Sequence, residues 1–216
     1  GKDILISGSG NVVIYAAQKS IELGGRVIAM SDSSGFVYDP EGINLDIIIN
    51  IKELKRGRIK EYLEKHPSAE YNKNSMDIWK LNCDIALPCA TQNELNAEGA
   101  RNLVKNGVIV VGEGANMPST PEAVELFQSN DVLFVPGKAA NAGGVATSAL
   151  EMTQNSMWDS WDFDEVDKKL KTIMSGIYHD INEISQEYGQ EKDFVFGANA
   201  AGFLKVAGAM LDQGVI

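Results

Sequence analysis

The sequence predicts an α/β fold: a doubly wound, mostly parallel sheet with helices on both faces, followed by a helical segment at the C-terminal end. Up to about residue 145, short apolar runs typical of buried parallel strands alternate about six times with stretches of helical spacing. After that point the pattern stays helical and predicts no further strand. We therefore expect two domains, residues 1–145 with the sheet and residues 146–216 with helices that pack on it.

The individual elements follow from apolar runs and from the residues that flank them. The apolar runs predicted as strands are residues 3–7, 26–31, 84–87, 107–112 and 132–135, with a short strand and a loop within 68–79. Helical spacing predicts helices at residues 12–23, 51–65, 96–106 and 198–211. Another helix is predicted to begin at Thr120, its N-cap, with Pro121 as its first residue. A long helix that ends at about Tyr188 is predicted to begin with a capping box of Asp162 and Glu165. Residues 32–44 are predicted as a loop.

Composition and charge exclude several classes of function. With 19 basic and 30 acidic residues the net charge is −11, so we expect neither nucleic acid nor an anionic membrane as a partner. No apolar run approaches the ~18–20 residues of a membrane span, and the opening residues lead us to expect no signal peptide. The two cysteines and two histidines lack the spacing of a metal site or a disulfide framework. We expect a reduced, cytoplasmic domain without a metal.

A glycine-rich turn joins the first predicted strand to the first helix. Gly8-Ser9-Gly10-Asn11-Val12-Val13 has the spacing G-x-G-x-x-V, with Val13 in place of the third glycine of the dinucleotide fingerprint. The first glycine allows the tight turn, and the second lets the backbone approach a pyrophosphate at the positive end of the helix. An ordinary strand–helix turn is the alternative, but the position inside a βαβ unit favours a Rossmann-like dinucleotide-binding domain.

The end of the second strand bears on the choice of cofactor. Asp32 lies at about the spacing, ~20 residues after the glycine turn, at which an acidic residue binds the adenosine ribose in NAD-binding domains. The neighbouring serines complicate that interpretation, because Ser31, Ser33 and Ser34 can donate to a 2′-phosphate or form a capped turn with Asp32. From the residues alone, NAD is weakly favoured.

Three further segments lie at the predicted carboxyl ends of strands, where open α/β sheets bind ligands. They are residues 88–93 (PCATQN), 112–118 (GEGANMP) and 136–145 (PGKAANAGGV), all rich in amides, hydroxyls and glycine. One such segment would be explained by turn chemistry alone, but three at one edge favour a site for a carboxamide and ribose hydroxyls. No histidine–carboxylate pair accompanies them, so we predict no catalytic residue in this chain.

Long segments of the chain resemble one family. SGSGNV, SDSSG, LPCATQNEL, GEGANMP and PGKAANAGGVATSALEM, with the closing GFLKVAGAMLDQGV, resemble the cofactor domain of the small hexameric glutamate dehydrogenases over nearly the whole chain. The resemblance implies an oxidoreductase of amino-acid metabolism and nitrogen assimilation that interconverts L-glutamate with 2-oxoglutarate and ammonia. It also implies a homo-hexamer and an N-terminal domain, outside this chain, that carries a catalytic lysine and aspartate. The chain starts at Gly1 rather than Met, so we expect a fragment that is inactive alone.

The resemblance also assigns site residues, by position in this sequence. It places Gly8, Ser9, Gly10, Asn11 and Val12 at the pyrophosphate, Asp32 and Ser33 at the adenosine ribose, and Thr91, Gln92, Asn116 and Asn141 at the nicotinamide and its ribose. Lys52 matches the lysine that approaches the 2′-phosphate in NADP-using members, which reverses the weak preference for NAD. Val145 and Ser148 would reach the glutamate side chain. The implied cofactor is NADP, with NAD as the alternative.

Two other functions stay open at this point. An NAD-linked dehydrogenase of the leucine, valine or phenylalanine type shares the architecture. A non-catalytic dinucleotide sensor would use the same glycine turn, although the chain has no motif or basic patch for reading DNA.

Overall fold

A computed structural model describes residues 1–214 of the chain. These residues form two compact units, Gly1–Gly137 and a second that begins at Lys138. The division falls before Val145, where the sequence placed the domain boundary. Residues 215 and 216, the last two of the predicted second domain, lie outside the described residues.

The first unit contains a seven-stranded mixed sheet with helices on both faces, as predicted. Its strands are β1 (Asp3–Ser7), β2 (Arg26–Asp32), β3 (Gly35–Tyr38), β4 (Glu70–Asn72), β5 (Ile85–Pro88), β6 (Val110–Gly112) and β7 (Leu133–Val135). The order across the sheet is β4-β3-β2-β1-β5-β6-β7. Strands β2, β1, β5, β6 and β7 are parallel, whereas β3 is antiparallel to both of its neighbours. From β1 the chain adds β2, β3 and β4 towards one edge of the sheet, and it then returns to β5 on the other side of β1 and adds β6 and β7 towards the opposite edge. The strand order therefore reverses between β1 and β5.

Three of the six helices described in the first unit and at its boundary begin at a capping side chain, namely Asn44, Asn96 or Thr120. The six helices are α1 (Asn11–Glu22), α2 (Leu45–Ile49), α3 (Tyr62–Lys65), α4 (Ala97–Lys105) and α5 (Pro121–Ser129), followed by α6 (Gly137–Ala140) at the boundary of the unit. Asn96 accepts hydrogen bonds from two amides at the start of α4, and Thr120 caps α5. Gly24, after α1, has a φ of +85°, a conformation that glycine adopts without a steric cost.

Several predicted elements of the first unit differ from the structure. The strand predicted at 107–112 is shortened to β6, and the loop predicted within 68–79 contains a 3₁₀ helix at Ser75–Lys80. The predicted loop at 32–44 contains β3, which pairs with β2 through the two-residue connection Ser33-Ser34. The predicted helix at 51–65 is interrupted: a π-helical turn at Asn50–Leu54 is followed by Ile59–Glu61, a 3₁₀ turn, and then by α3. Arg56 breaks the run with a φ of +53°. Apolar spacing alone did not reveal this interruption.

The second unit is helical in its described part, as predicted. It contains α7 (Ala142–Ser156), α8 (Phe163–Glu187) and α9 (Phe194–Gln213). The Asp162 side chain accepts from the amide of Glu165 at 2.9 Å, which confirms the predicted cap of α8. The C-terminal helix begins four residues earlier than predicted, because Asp193 caps it at Phe194.

The prediction that no apolar run approaches a membrane span is wrong for α9. By length and composition alone this helix is apolar enough to cross a membrane, and it is the one such helix among residues 1–214. Its alanines and large apolar side chains are interrupted by a single charge, Lys205, before Asp212. The core helix of a soluble protein passes the same test of length and composition.

Candidate functional site

The glycine turn lies at the carboxyl end of β1, beside the point where the sheet changes direction. Gly8 has a φ of +95°, and a Cβ there would lie 2.8 Å from Val13 Cγ2. The Val13 side chain, 1% exposed, therefore fills the space above Gly8, where the usual third glycine would leave room. A Cβ at Gly10 would meet nothing within 4 Å, so the space in front of the first turn of α1 is open. A phosphate group fits such a helix N-terminus.

The carboxylate of Asp32, at the end of β2, is surrounded by donors. Its Oδ1 accepts from the Ser34 amide at 2.8 Å and from Ser34 Oγ, and its Oδ2 accepts from the Ile59 amide at 2.8 Å. Lys52 Nζ lies 3.4 Å from the same Oδ2. Burial alone would raise the pKa of Asp32, but these hydrogen bonds and the lysine charge lower it below its usual value. The carboxylate is thus ionised and occupied within the protein.

Two cations lie beside Asp32. Lys52 Nζ also donates to the carbonyl of Gly57 at 3.1 Å, and the lysine side chain is 18% exposed. Arg58 is more exposed, and its Nη1 donates to Ser33 Oγ at 2.8 Å. Because Asp32 already has its donors, this end of the site presents the two cations and a hydroxyl. That chemistry suits a phosphate group.

These features line one cavity of about 680 Å³. Nine of the predicted cofactor residues contribute to its wall: Gly8, Ser9, Gly10, Asn11, Val12, Asp32, Ser33, Lys52 and Thr91. Gln92 follows Thr91 in the chain but, like Asn116, is exposed and does not line this cavity. Cys89 also lines it, and burial raises the pKa of its thiol to about 12, so the thiol is unreactive at neutral pH.

The segments after β5 and β6 are bonded to each other. The amides of Gly114 and Ala115 donate to the carbonyl of Pro88 at 3.0 and 3.1 Å, and the amide of Asn93 donates to the carbonyl of Met117 at 3.0 Å. The Thr91 loop and the Asn116 segment therefore form one connected edge of the sheet. The start of the third predicted segment is bonded to the second as well, because the Gly137 amide donates to Glu113 Oε2 at 2.7 Å.

The third segment continues into the second unit. Asn141 precedes α7, and Val145 and Ser148 lie three residues apart on that helix. Val145 is 72% exposed, and Ser148 Oγ donates to the carbonyl of Gly144 at 3.3 Å. Their predicted contacts with nicotinamide and glutamate stay predictions.

Sequence reasoning missed several residues of this site. Arg58 was absorbed into a predicted helix, although the cluster Lys55-Arg56-Gly57-Arg58 stands out in an acidic chain. The wall formed by Ser75, Met76, Ile78 and Trp79 left no usable signal. Glu94 also lines the cavity and accepts from the Ala90 amide at 2.8 Å, and burial raises the pKa of its carboxyl. No group of three metal-ligating side chains is found within residues 1–214.

An open sheet that changes direction beside a glycine turn, with a cavity at that point, defines the Rossmann class of dinucleotide-binding domains. The comparisons with known proteins narrow the class. The family model for glutamate/leucine/phenylalanine/valine dehydrogenases matches residues 1–214, and the chain belongs to that family.

The relatives are close but longer than this chain. Glutamate dehydrogenase of Bacteroides thetaiotaomicron is 56% identical over 100% of the chain and 49% of its own length. The NADP-specific glutamate dehydrogenase of Haemophilus influenzae is 52% identical over 100% of the chain and 48% of its own length. The crystal structure of Plasmodium falciparum glutamate dehydrogenase matches 100% of the chain and 47% of that protein, with 47% identity and a TM-score of 0.95. The chain thus spans about half the length of these relatives.

Proposed function

We propose that this chain is the cofactor-binding part of an NADP-dependent glutamate dehydrogenase. The reaction is the reversible oxidative deamination of L-glutamate to 2-oxoglutarate and ammonia, with hydride transfer to NADP. The observation that carries the proposal is the cavity that joins the glycine turn to Lys52, Arg58 and Ser33. Family membership supports the reaction class, and the names of its relatives support the substrate.

The residues present fit the cofactor. Open space before Gly10 admits a pyrophosphate at the start of α1. At the adenosine end, a ribose 2′-phosphate would meet Lys52, Arg58 and Ser33. The occupied carboxylate of Asp32 supports NADP over NAD, because an NAD-binding acidic residue needs oxygens free for the ribose hydroxyls. Relatives with NADP-specific and NAD-specific names both exist, so NAD remains the alternative.

The other half of the site is proposed to include residues of the first unit after β5 and β6 and residues of the second unit. The cofactor carries the hydride chemistry, and the protein supplies binding and orientation. We propose that Gln92, Asn116 and Asn141 bind the nicotinamide and its ribose, and that Val145 and Ser148 border the glutamate side chain. The catalytic lysine and aspartate would come from a further domain, in a cytoplasmic homo-hexamer that functions in nitrogen assimilation.

Calorimetric titration of the chain with NADPH and NADH tests the proposal. We expect NADPH to bind more tightly by about tenfold to a hundredfold, the effect of a charge-assisted phosphate contact. We also expect no glutamate-dependent reduction of NADP by this chain alone, because the acid–base groups are proposed to lie elsewhere. Tighter binding of NADH would favour an NAD-linked relative of the leucine, valine or phenylalanine type. Enzyme-like turnover by the chain alone would refute the assignment of the catalytic groups.

A further inference from the structure

A buried carboxylate joins the segments that follow β6 and β7. Glu113 is 5% exposed and comes directly after β6. Its Oε1 accepts from the Ser119 amide at 3.1 Å, and its Oε2 accepts from the Gly137 amide at 2.7 Å. The Glu113 amide donates to the carbonyl of Val135 at 3.1 Å, which continues the β6–β7 pairing. One side chain therefore sets the spacing between two segments that are 24 residues apart in sequence.

Backbone amides, rather than a cation, balance this carboxylate. Within residues 1–214 no ion pair to Glu113 is formed. Ser119 is held by its backbone amide, while its buried hydroxyl has no partner. A buried carboxylate without a cation is costly to retain unless its hydrogen bonds are well made. The two amide contacts are therefore the interactions that fix its position.

The segments joined by Glu113 follow β6 and β7, whereas Lys52 and Arg58 lie beside β2, on the other side of β1 in the strand order. In dinucleotide-binding folds the pyrophosphate lies at the first helix, and the two mononucleotide halves lie on either side of the change in strand order. Lys52 and Arg58 mark the adenosine half beside β2. The second half then falls on the β5–β7 side, whose loop after β5 is bonded to the segment that Glu113 holds, through the Asn93–Met117 contact.

We propose that Glu113 is a positioning residue for the nicotinamide half of the cofactor site. The inference rests on the proposed function and adds to it a residue that touches neither cofactor nor substrate. Glutamine at this position keeps one acceptor oxygen, but its amide group would face a backbone N–H. One of the two hydrogen bonds is then lost, because the NH₂ group of glutamine and the backbone N–H are both donors. We expect the segments after β6 and β7 to move apart as a result.

Two ligands distinguish this role from a general loss of folding. NADPH occupies both halves of the site, whereas adenosine 2′,5′-bisphosphate occupies only the adenosine half. In calorimetric titrations of the 216-residue chain, Glu113→Gln is expected to weaken NADPH about tenfold, the effect of one lost charged hydrogen bond. Its affinity for adenosine 2′,5′-bisphosphate is expected to stay unchanged.

Two control variants isolate the carboxylate. Glu125→Gln makes the same chemical change on an exposed position of α5, and Ser119→Ala removes the unpartnered hydroxyl. Neither is expected to change either affinity. If Glu113→Gln does not fold, Glu113→Asp keeps the charge but is too short to reach both amides, and it is expected to show the same selective loss.

The possible results separate the two proposals. A selective loss of NADPH affinity supports the positioning role. Equal losses for both ligands, or an unchanged NADPH affinity, overturn it while leaving the proposed function intact. Failure of the unchanged chain to bind either ligand overturns the proposed function and this inference together.

Discussion

Replacing Lys52 by methionine tests which group selects the cofactor. Methionine keeps the apolar stem and removes the charge that lies 3.4 Å from Asp32 in a side chain that is 18% exposed. A unit charge about 4 Å from a phosphate charge gives roughly 4 kcal/mol at an effective dielectric constant near 20. Asp32 already offsets part of that charge, and the phosphate must lose water. We therefore expect a net loss of about 1.5–3 kcal/mol, or about tenfold to a hundredfold, for NADPH.

The same change should leave NADH almost unaffected, because NADH lacks the 2′-phosphate. Arg58→Met is expected to cost less, roughly 0.2–1 kcal/mol for NADPH, because Arg58 is exposed and its charge is screened by solvent. Lys60→Met is the matched control: it removes a neighbouring exposed charge that does not line the cavity. For each variant, calorimetric titrations measure the affinities of the unchanged chain and of the variant for NADPH and for NADH. Equal losses of NADH and NADPH in Lys52→Met, or a larger effect for Arg58 than for Lys52, would refute the assignment.

Three more predictions address the turn, acid stability and the substrate. Gly8→Ala should destabilise the fold and abolish cofactor binding, because φ is +95° and the new Cβ would lie 2.8 Å from Val13 Cγ2; thermal unfolding and titration measure both, and a variant of native stability and affinity would contradict this. The pKa of Asp32 is lowered in the folded state, so its stabilisation is present above the unfolded pKa and is lost as pH falls through the folded one. The difference in unfolding free energy between the unchanged chain and Asp32→Asn should therefore be constant near neutral pH and shrink below about pH 4 in denaturant titrations; a growing difference would be inconsistent with that pairing. In the longer enzyme, Ser148→Val should lower kcat/KM for glutamate by an amount that corresponds to a loss of about 1–3 kcal/mol of transition-state stabilisation, with the affinity for NADPH unchanged. An unchanged kcat/KM would mean that Ser148 is structural.

The sequence predicted elements whose signals lie within a few residues. The cap of α5 needs only Thr120 and Pro121, and the turn before α1 needs only the glycines at its start. The β2–β3 hairpin was missed because its two-residue connection, Ser33-Ser34, lacks the glycine or asparagine typical of such turns. Gly35, where a Cβ would overlap the Asn72 carbonyl, was a signal, but only once β4 is known to lie beside it.

The remainder of the site depends on contacts between distant residues. Arg58 reaches Ser33 across 25 positions, and the Ile59 amide reaches Asp32 across 27. Every residue except proline has a backbone amide, so residue types do not show which amides donate to a given carboxylate. The hydrogen bonds to Asp32 could therefore not be inferred from the sequence. Spacing alone therefore favoured NAD, because it takes an acidic residue at the end of β2 as free to accept from ribose hydroxyls.

The contacts of a single carboxylate, Asp32, give a physical reason against that inference from spacing. A free Asp32 would repel a 2′-phosphate and accept from a ribose hydroxyl. With its oxygens accepting from Ser34 and Ile59, and with Lys52 beside it, the same residue instead stabilises the lysine that a phosphate would meet. Its charge is offset inside the protein, while Arg58 adds a second cation to the lining of the cavity. An acidic residue at this position thus favours NADP when neighbouring amides and a lysine occupy it, and NAD when its oxygens face the ribose.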